Sequence, residues 1–436
     1  MRNPMIDAVE GPLRAGVESA LRLGAKAAKI AFRHSESISV SFESSRLKNT
    51  GAVENMVYAI EVVVDSRKGS TAGNDLAAIN EMVERAVALA QAGGVAHFGA
   101  YPPPGDLAEV ENYSERTLSL SREKMVADAQ HIVDRLKAYD DELDIHAGAH
   151  RSEGESLLVT SGGVIHRSSG TRWSLGSHCQ RTQGTDMLFA GFGRGFGDLN
   201  EFYDPEHIAE RVLWDLRHGE KIVEPPTGPV TVYLPSDALP MFLWPLALGV
   251  NGRNVAKGDS PLKGRLGEQV LDESMTIADD PHRPFAGGRE IDDDGIPTRK
   301  ITIFENGVLK TFLYDLDSAG LAGTEPTGNN HCSPYLPVLA RGAMPSEQLL
   351  AEIDDGLYIK QLLGFGQSNI INGDFSGNVG LGFRIKGGKV VGRVKNTMIA
   401  GNVYDVFRRN VRLSSDVDPV TLMPGAVVEG ITASTR

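Results

Sequence analysis

The stretch LGFRIKGGKVVGRV, residues 381–394, admits two folds. As a phosphate loop, Gly387-Gly388-Lys389 would carry a parallel strand into a helix. As a hairpin, the same glycines would turn one antiparallel strand back onto the next. A phosphate loop needs Gly-x-x-x-x-Gly-Lys-Ser/Thr, with the backbone cradling phosphates and the hydroxyl reaching the metal. Val390 follows Lys389 here, and strand alternation resumes at once. The stretch is a hairpin, and its neighbourhood is antiparallel sheet.

A second hairpin lies upstream in TRKITIFENGVLKTFLYD, residues 298–315, where Asn306-Gly307 suits a type I′ turn. Between the two hairpins a helix-like MPSEQLLAEI, residues 344–353, interrupts further glycine-bounded strands. This region reads as antiparallel sheet able to curl into a barrel. Two proline-rich breaks, Pro102-Pro103-Pro104-Gly105 and EPPTGP at 224–229, divide the chain into 1–105, 106–224 and 225–436.

The first two segments share a layout. Segment one opens on a helix-like GPLRAGVESALRLGAKAAKIAF, residues 11–32, and passes through strands such as SISVSFES and YAIEVVVDS. It closes on a helix in which Leu76, Ile79, Val83, Val87 and Ala90 follow helical spacing behind Asn74 and Asp75. Segment two opens on residues 121–139, with Met125, Ala129, Ile132 and Leu136 in one stripe. Three short strands follow, then a helix capped by Asp204 with Pro205 in its first turn. The expected fold class is α+β: a duplicated helix–antiparallel sheet–helix N-terminal part, followed by a β-rich, barrel-like C-terminal domain.

The 436 residues carry a net charge of −13, which argues against nucleic acid, because phosphate binding relies on a positive surface. The short basic cluster VFRRNVR, residues 406–412, reads as a solvated face. Cys179 and Cys332 make neither a disulfide framework nor a metal knuckle. The N-terminus lacks the pattern of a signal peptide, and the apolar run from Leu239 to Val250 is too short for a bilayer span of roughly 20 residues. A cytoplasmic protein without a membrane partner is the expectation.

Other motifs yield little chemistry. AGFGRGFGD, residues 190–198, has no following helix to bind a dinucleotide, and no Gly-x-Ser-x-Gly elbow occurs. None of the 11 histidines is followed by glutamate, as a zinc-hydrolase helix requires. His146 and His150 sit on a strand, where positions four apart lie roughly 13 Å from each other, too far to share an ion. Asp292, Asp293 and Asp294, followed by Gly295 and Pro297, read as a solvated turn rather than an acid–base pair.

The most apolar segment, SDALPMFLWPLALGVNG at 236–252, reads as a packed core helix interrupted by Pro240 and Pro245. It precedes four motifs: KGDSPLKGRLGEQV, IDDDGIPTRKITIFENGVLKTFLYD, GTEPTGNN and NTMIAGNVYDVFRRN. In order and spacing these resemble the TldD/PmbA family, formerly labelled modulators of DNA gyrase. The likeness covers nearly all of segment three and extends more weakly over the front.

The resemblance implies a two-subunit metallopeptidase acting on short unstructured peptides. A TldD-type subunit would carry zinc on a His-Glu-x-x-x-His helix, with a further ligand near its C-terminus. By spacing back from Gly264, those three residues would fall near Leu243, Trp244 and Leu248. No His or Glu occurs between Ser236 and Lys263, and residues 413–430 offer no Cys or His. The chain therefore resembles the PmbA/TldE side: no catalytic or metal residues of its own, no cofactor, and zinc only in a TldD-type partner. The expected partners are that subunit, in a heterodimer or larger assembly, and a peptide; a homodimer of the chain alone stays open. Two other readings stay open, a self-sufficient hydrolase built on Asp292–Asp294 with a distant histidine and a homodimeric binding module.

Overall fold

The computed structural model describes residues 4–435. Helix α1 (Pro4–Arg22) ends before Gly24, whose φ of +98° reverses the chain. The expected opening helix is therefore corrected, since Ala27 to Phe32 begin strand β1 (Ala27–Glu43). Strands β2 (Arg46–Val64) and β3 (Arg67–Gly73) complete a meander, and helix α2 (Ile79–Ala90) follows a turn in which the Asp75 side chain accepts from the Ala77 amide. The second unit repeats this order with α3 (Arg122–Tyr139), β4 (Asp144–Thr160), β5 (Ile165–Gln183), β6 (Asp186–Phe196) and α4 (Pro205–Gly219).

The expected duplication is the architecture, but the two halves share one sheet. Its six strands run β3-β2-β1-β4-β5-β6, so β1 and β4 pair antiparallel at the centre. Residues directly opposite share a face, and even positions of β1 match odd positions of β4. On that face Phe32 and Ile30 join the core beneath α1 and α2, while Val40 and Phe42 join the core beneath α3 and α4. Met125, Ala129, Ile132 and Leu136 of α3 are all fully buried, as their spacing predicts.

The C-terminal part closes a barrel. Strands β7 (Gly228–Leu234), β8 (Ile277–Asp279), β9 (Ile301–Glu305), β10 (Pro337–Leu339), β11 (Asp355–Leu363), β12 (Asp374–Lys386), β13 (Lys389–Val394), β14 (Thr397–Asn402) and β15 (Pro424–Thr435) follow in order. The path β11-β7-β15-β14-β12 returns to its start through β12–β11 pairing, giving five strands without a free edge. One junction, β7 with β11, is parallel. The β12–β13 turn carries positive φ at Gly387 (55°) and Gly388 (74°), and the turn after β9 does so at Asn306 (47°) and Gly307 (77°). Both are type I′ hairpins, as their residues predict.

Ion pairs tie the front sheet to the C-terminal part. Lys29 of β1 reaches Asp294 at 2.6 Å and Glu61 at 3.3 Å; Arg33 reaches Asp293 at 3.2 Å; His166 of β5 reaches Glu290 at 2.6 Å. Burial pulls the Lys29 ammonium down, but Asp294 and Glu61 outweigh it and hold its pKa up at about 12.

Candidate functional site

Helix α5 (Leu239–Gly249) follows β7 directly. Its start is fixed by the Pro235 carbonyl, which accepts from the Ala238 and Leu239 amides. Phe242 is fully buried and anchors the helix, its ring centroid 5.1 Å from Phe365 and 5.3 Å from Phe375, both edge-on. Burying such a ring stabilises by roughly 1.5–3 kcal/mol before aromatic geometry adds to it. At the far end a Cβ on Gly249 would lie 2.1 Å from the Tyr404 hydroxyl, so any larger residue would have to displace the Tyr404 ring. Pro245, expected to kink the segment, sits inside one continuous eleven-residue helix. It withholds one amide, and its own carbonyl accepts from Tyr404 Oη at 3.4 Å.

The packed-core reading holds for only part of this helix. Leu243 is 9% exposed and belongs to the core, whereas Trp244 is 45% exposed and Leu248 is half-buried. Trp244 stands at the mouth of an apolar pocket of about 290 Å³. Pro240, Leu243, Trp244 and Ala247 form its helical wall. Ile277 of β8 with Ile303 and Phe304 of β9 form the opposite wall, and Ser333, Pro334 and Pro337 close one side. The small sheet runs Val308–Leu309, β9, β8, β10, so the edge strand β10 borders this pocket through Pro337. Its shape suits an apolar side chain and supplies neither a general base nor a metal ligand.

The other sequence candidates fall elsewhere. His146 and His150 lie on the face of β4 turned away from the helices, and His146 stacks on His178 of β5 with centroids 4.7 Å apart. Residues 190–196 of the glycine-alternating motif lie in edge strand β6. In the basic cluster Arg408 and Arg409 are exposed, and Arg412 pairs with Glu352. Burial pushes the Cys179 thiol up to about 12 and raises that of Cys332, so neither is poised as a nucleophile.

The turn at Asp292–Asp294 is not a solvated one. Asp292 is 2% exposed, and its Oδ1 accepts from the amides of Asp294 and Ile296 at 2.9 Å each. Burial, then the nearby Asp294 charge, push its pKa up to about 7. Asp293 and Asp294 face Arg33, Arg289 and Lys29. These carboxylates latch the two parts of the chain together. Among the described residues no three metal-ligating side chains converge at this turn or at α5.

Sequence reasoning missed the pocket, because its walls come from five separated segments, the last of them contributing Met423. A weak signal existed in Pro334 and Pro337, which make an irregular side wall next to an apolar helix.

Residues 227–435 match the PmbA/TldA metallopeptidase C-terminal domain, and residues 28–90 match PmbA/TldA metallopeptidase domain 1. A metalloprotease PmbA homolog of Haemophilus influenzae is 25% identical over 95% of this chain and 94% of its own length. A metalloprotease TldD homolog of Buchnera aphidicola is 31% identical over 39% of this chain and 37% of its own. The crystal structure of TldE from Thermococcus kodakarensis superposes with a TM-score of 0.87 over 98% of this chain and all of that one, at 24% identity, and so shares the fold. Among the described residues no helix is long and apolar enough to cross a membrane.

Proposed function

This chain belongs to the PmbA/TldD metallopeptidase family, and we propose that it is a non-catalytic subunit that completes a peptidase with a TldD-type chain. The observation that carries this reading is helix α5. Leu243, Trp244 and Leu248 lie near where the family resemblance would place two histidines and a glutamate, and no His or Glu occurs between Ser236 and Lys263. A catalytic zinc takes three protein ligands and an open position for water. Side chains of this kind offer no lone pair, and the space beside them is an apolar pocket instead of a polar one.

The same geometry suits a substrate-holding role. An extended peptide laid along an edge strand gains main-chain hydrogen bonds, while alternate side chains point into neighbouring pockets. Strand β10 and the pocket behind Pro337 provide that pairing side by side. The zinc-bearing subunit would then supply the activated water, and this chain part of the enclosure around an unfolded peptide.

Association is the first test. Co-expressed with a TldD-type chain from the same cell, the protein should copurify and give one complex whose mass by light scattering is a whole number of paired subunits. Two separate species at every mixing ratio would contradict the subunit reading.

A further inference from the structure

The middle of the front sheet carries an arrangement that neither its fold nor the reading above explains. The register sets Glu54 of β2, Glu36 of β1 and Glu153 of β4 directly opposite one another, three carboxylates in a row across adjacent strands. The next row on that face is Met56, His34 and Glu155. Like charges placed directly opposite destabilise a sheet. Among the described residues neither Glu36 nor Glu54 has a lysine or arginine ion-pair partner.

These rows fall between the two helix-side cores, with Leu118 beside the first row. A cavity of about 330 Å³ opens there, lined by Glu36, Glu54 and Glu153 among others. Arg151 also lines it, with its guanidinium donating to the Leu118 carbonyl.

His34 is the group that gives the cluster a direction. It is 8% exposed, and both ring nitrogens face carboxylates: Nε2 lies 2.9 Å from Glu54 Oε1 and Nδ1 lies 3.5 Å from Glu155 Oε1. Ligand atoms of His34, Glu36 and Glu54 all lie within 4.8 Å of one another. A metal-bound histidine usually gives its second ring N–H to a carboxylate, which fixes the tautomer and aims the lone pair. Buried Glu155 stands in that position.

We propose that His34, Glu36 and Glu54 form a divalent-cation site of the zinc type, with Glu155 orienting the imidazole. One imidazole and two carboxylates suit a first-row ion. Glu36 and Glu54 both line the cavity, which leaves room for water on their side of the ion. Both are exposed and rotate inward by the short distance coordination requires, while the ion takes the place of the His34 Nε2–Glu54 hydrogen bond and releases its proton to water. Bound there, it cancels the carboxylate repulsion and pins β1 to β2 between the two helix-side cores.

Calorimetric titration of the purified chain with zinc, paired with the visible spectrum of the cobalt-loaded chain, tests this. One ion per chain should bind, and the cobalt spectrum should show mixed nitrogen and oxygen ligation. Glu36→Gln and Glu54→Gln, both at exposed positions, should each weaken binding by about tenfold or more, and Glu155→Gln by about tenfold. His178→Ala, which removes the stacked histidine on the other face, should change nothing. No binding at micromolar zinc, binding indifferent to the Glu36 and Glu54 substitutions, or binding lost in His178→Ala would each overturn the assignment.

Discussion

Lys360→Met is expected to cost roughly 3–5 kcal/mol of folding stability. Lys360 projects from β11 and lies 2.7 Å and 2.8 Å from the two oxygens of Asp215 on α4. The side chains are 6% and 0% exposed, so the pair is shielded from water. Burial raises the Asp215 pKa even against the lysine, which shows how poorly this site tolerates a bare carboxylate. Removing the cation leaves that carboxylate to be protonated or to stay charged in an apolar setting. Its deficit should therefore shrink at acid pH, where protonation is easy, and grow above neutrality. The double variant Lys360→Met/Asp215→Leu should recover most of the loss, since no unpaired charge remains. Urea denaturation of the three proteins at pH 5 and pH 8 decides it. A single-variant loss under about 1 kcal/mol would show the pair to be incidental.

Asp292→Asn should stabilise the protein at alkaline pH and leave it nearly unchanged in acid. The ordinary aspartate value is 3.8, and in the folded chain burial and then Asp294 raise it to about 7. Between these values the folded state keeps a proton that the unfolded chain has released. This group's contribution is thus fully present below pH 3.8 and is lost as pH rises through about 7. Asparagine keeps the carbonyl oxygen that accepts from Asp294 and Ile296, and it cannot ionise. The variant's advantage should climb from near zero at pH 4 to roughly 2–4 kcal/mol at pH 8 and then level off. A pH-independent difference would mean that Asp292 is ionised throughout.

How legible these features were depends on whether the cause was local. The hairpins at Asn306-Gly307 and Gly387-Gly388 carry their own turn chemistry, and the α3 stripe carries its own period. The turns at Ser44-Ser45 and Asp65-Ser66 also take positive φ, but without glycine or asparagine. Strands β1 and β2 consequently run far beyond the stretches that alternation marked out. Barrel closure depends on the parallel pairing of Gly356–Tyr358 with Thr231–Tyr233, segments too distant in sequence for any local pattern to join.

The same division runs through the candidate sites. The apolar character of α5 was plain, yet Trp244 is exposed and packs its ring against distant Gly366, where a Cβ would meet it at 2.9 Å. Asp292 looked like a solvent turn because Asp-Asp-Asp-Gly is polar, whereas the front sheet packs beside it, with Lys29 on Asp294 and Leu158 and Val164 clustered with Ile291. His34 and Glu36 are two apart and so share a strand face. Glu54 joins them only through the register set by a turn without sequence signature.

The most direct measurement of the central claim is peptide cleavage by three samples: this chain, a TldD-type chain from the same cell, and their mixture. A short unfolded peptide should stay intact with this chain alone, because α5 presents leucine, tryptophan and leucine where a zinc ligand set is expected. The mixture should cleave it, spare a folded protein, and lose activity when zinc is chelated. A TldD-type chain equally active alone would contradict the account, as would cleavage by this chain without its partner.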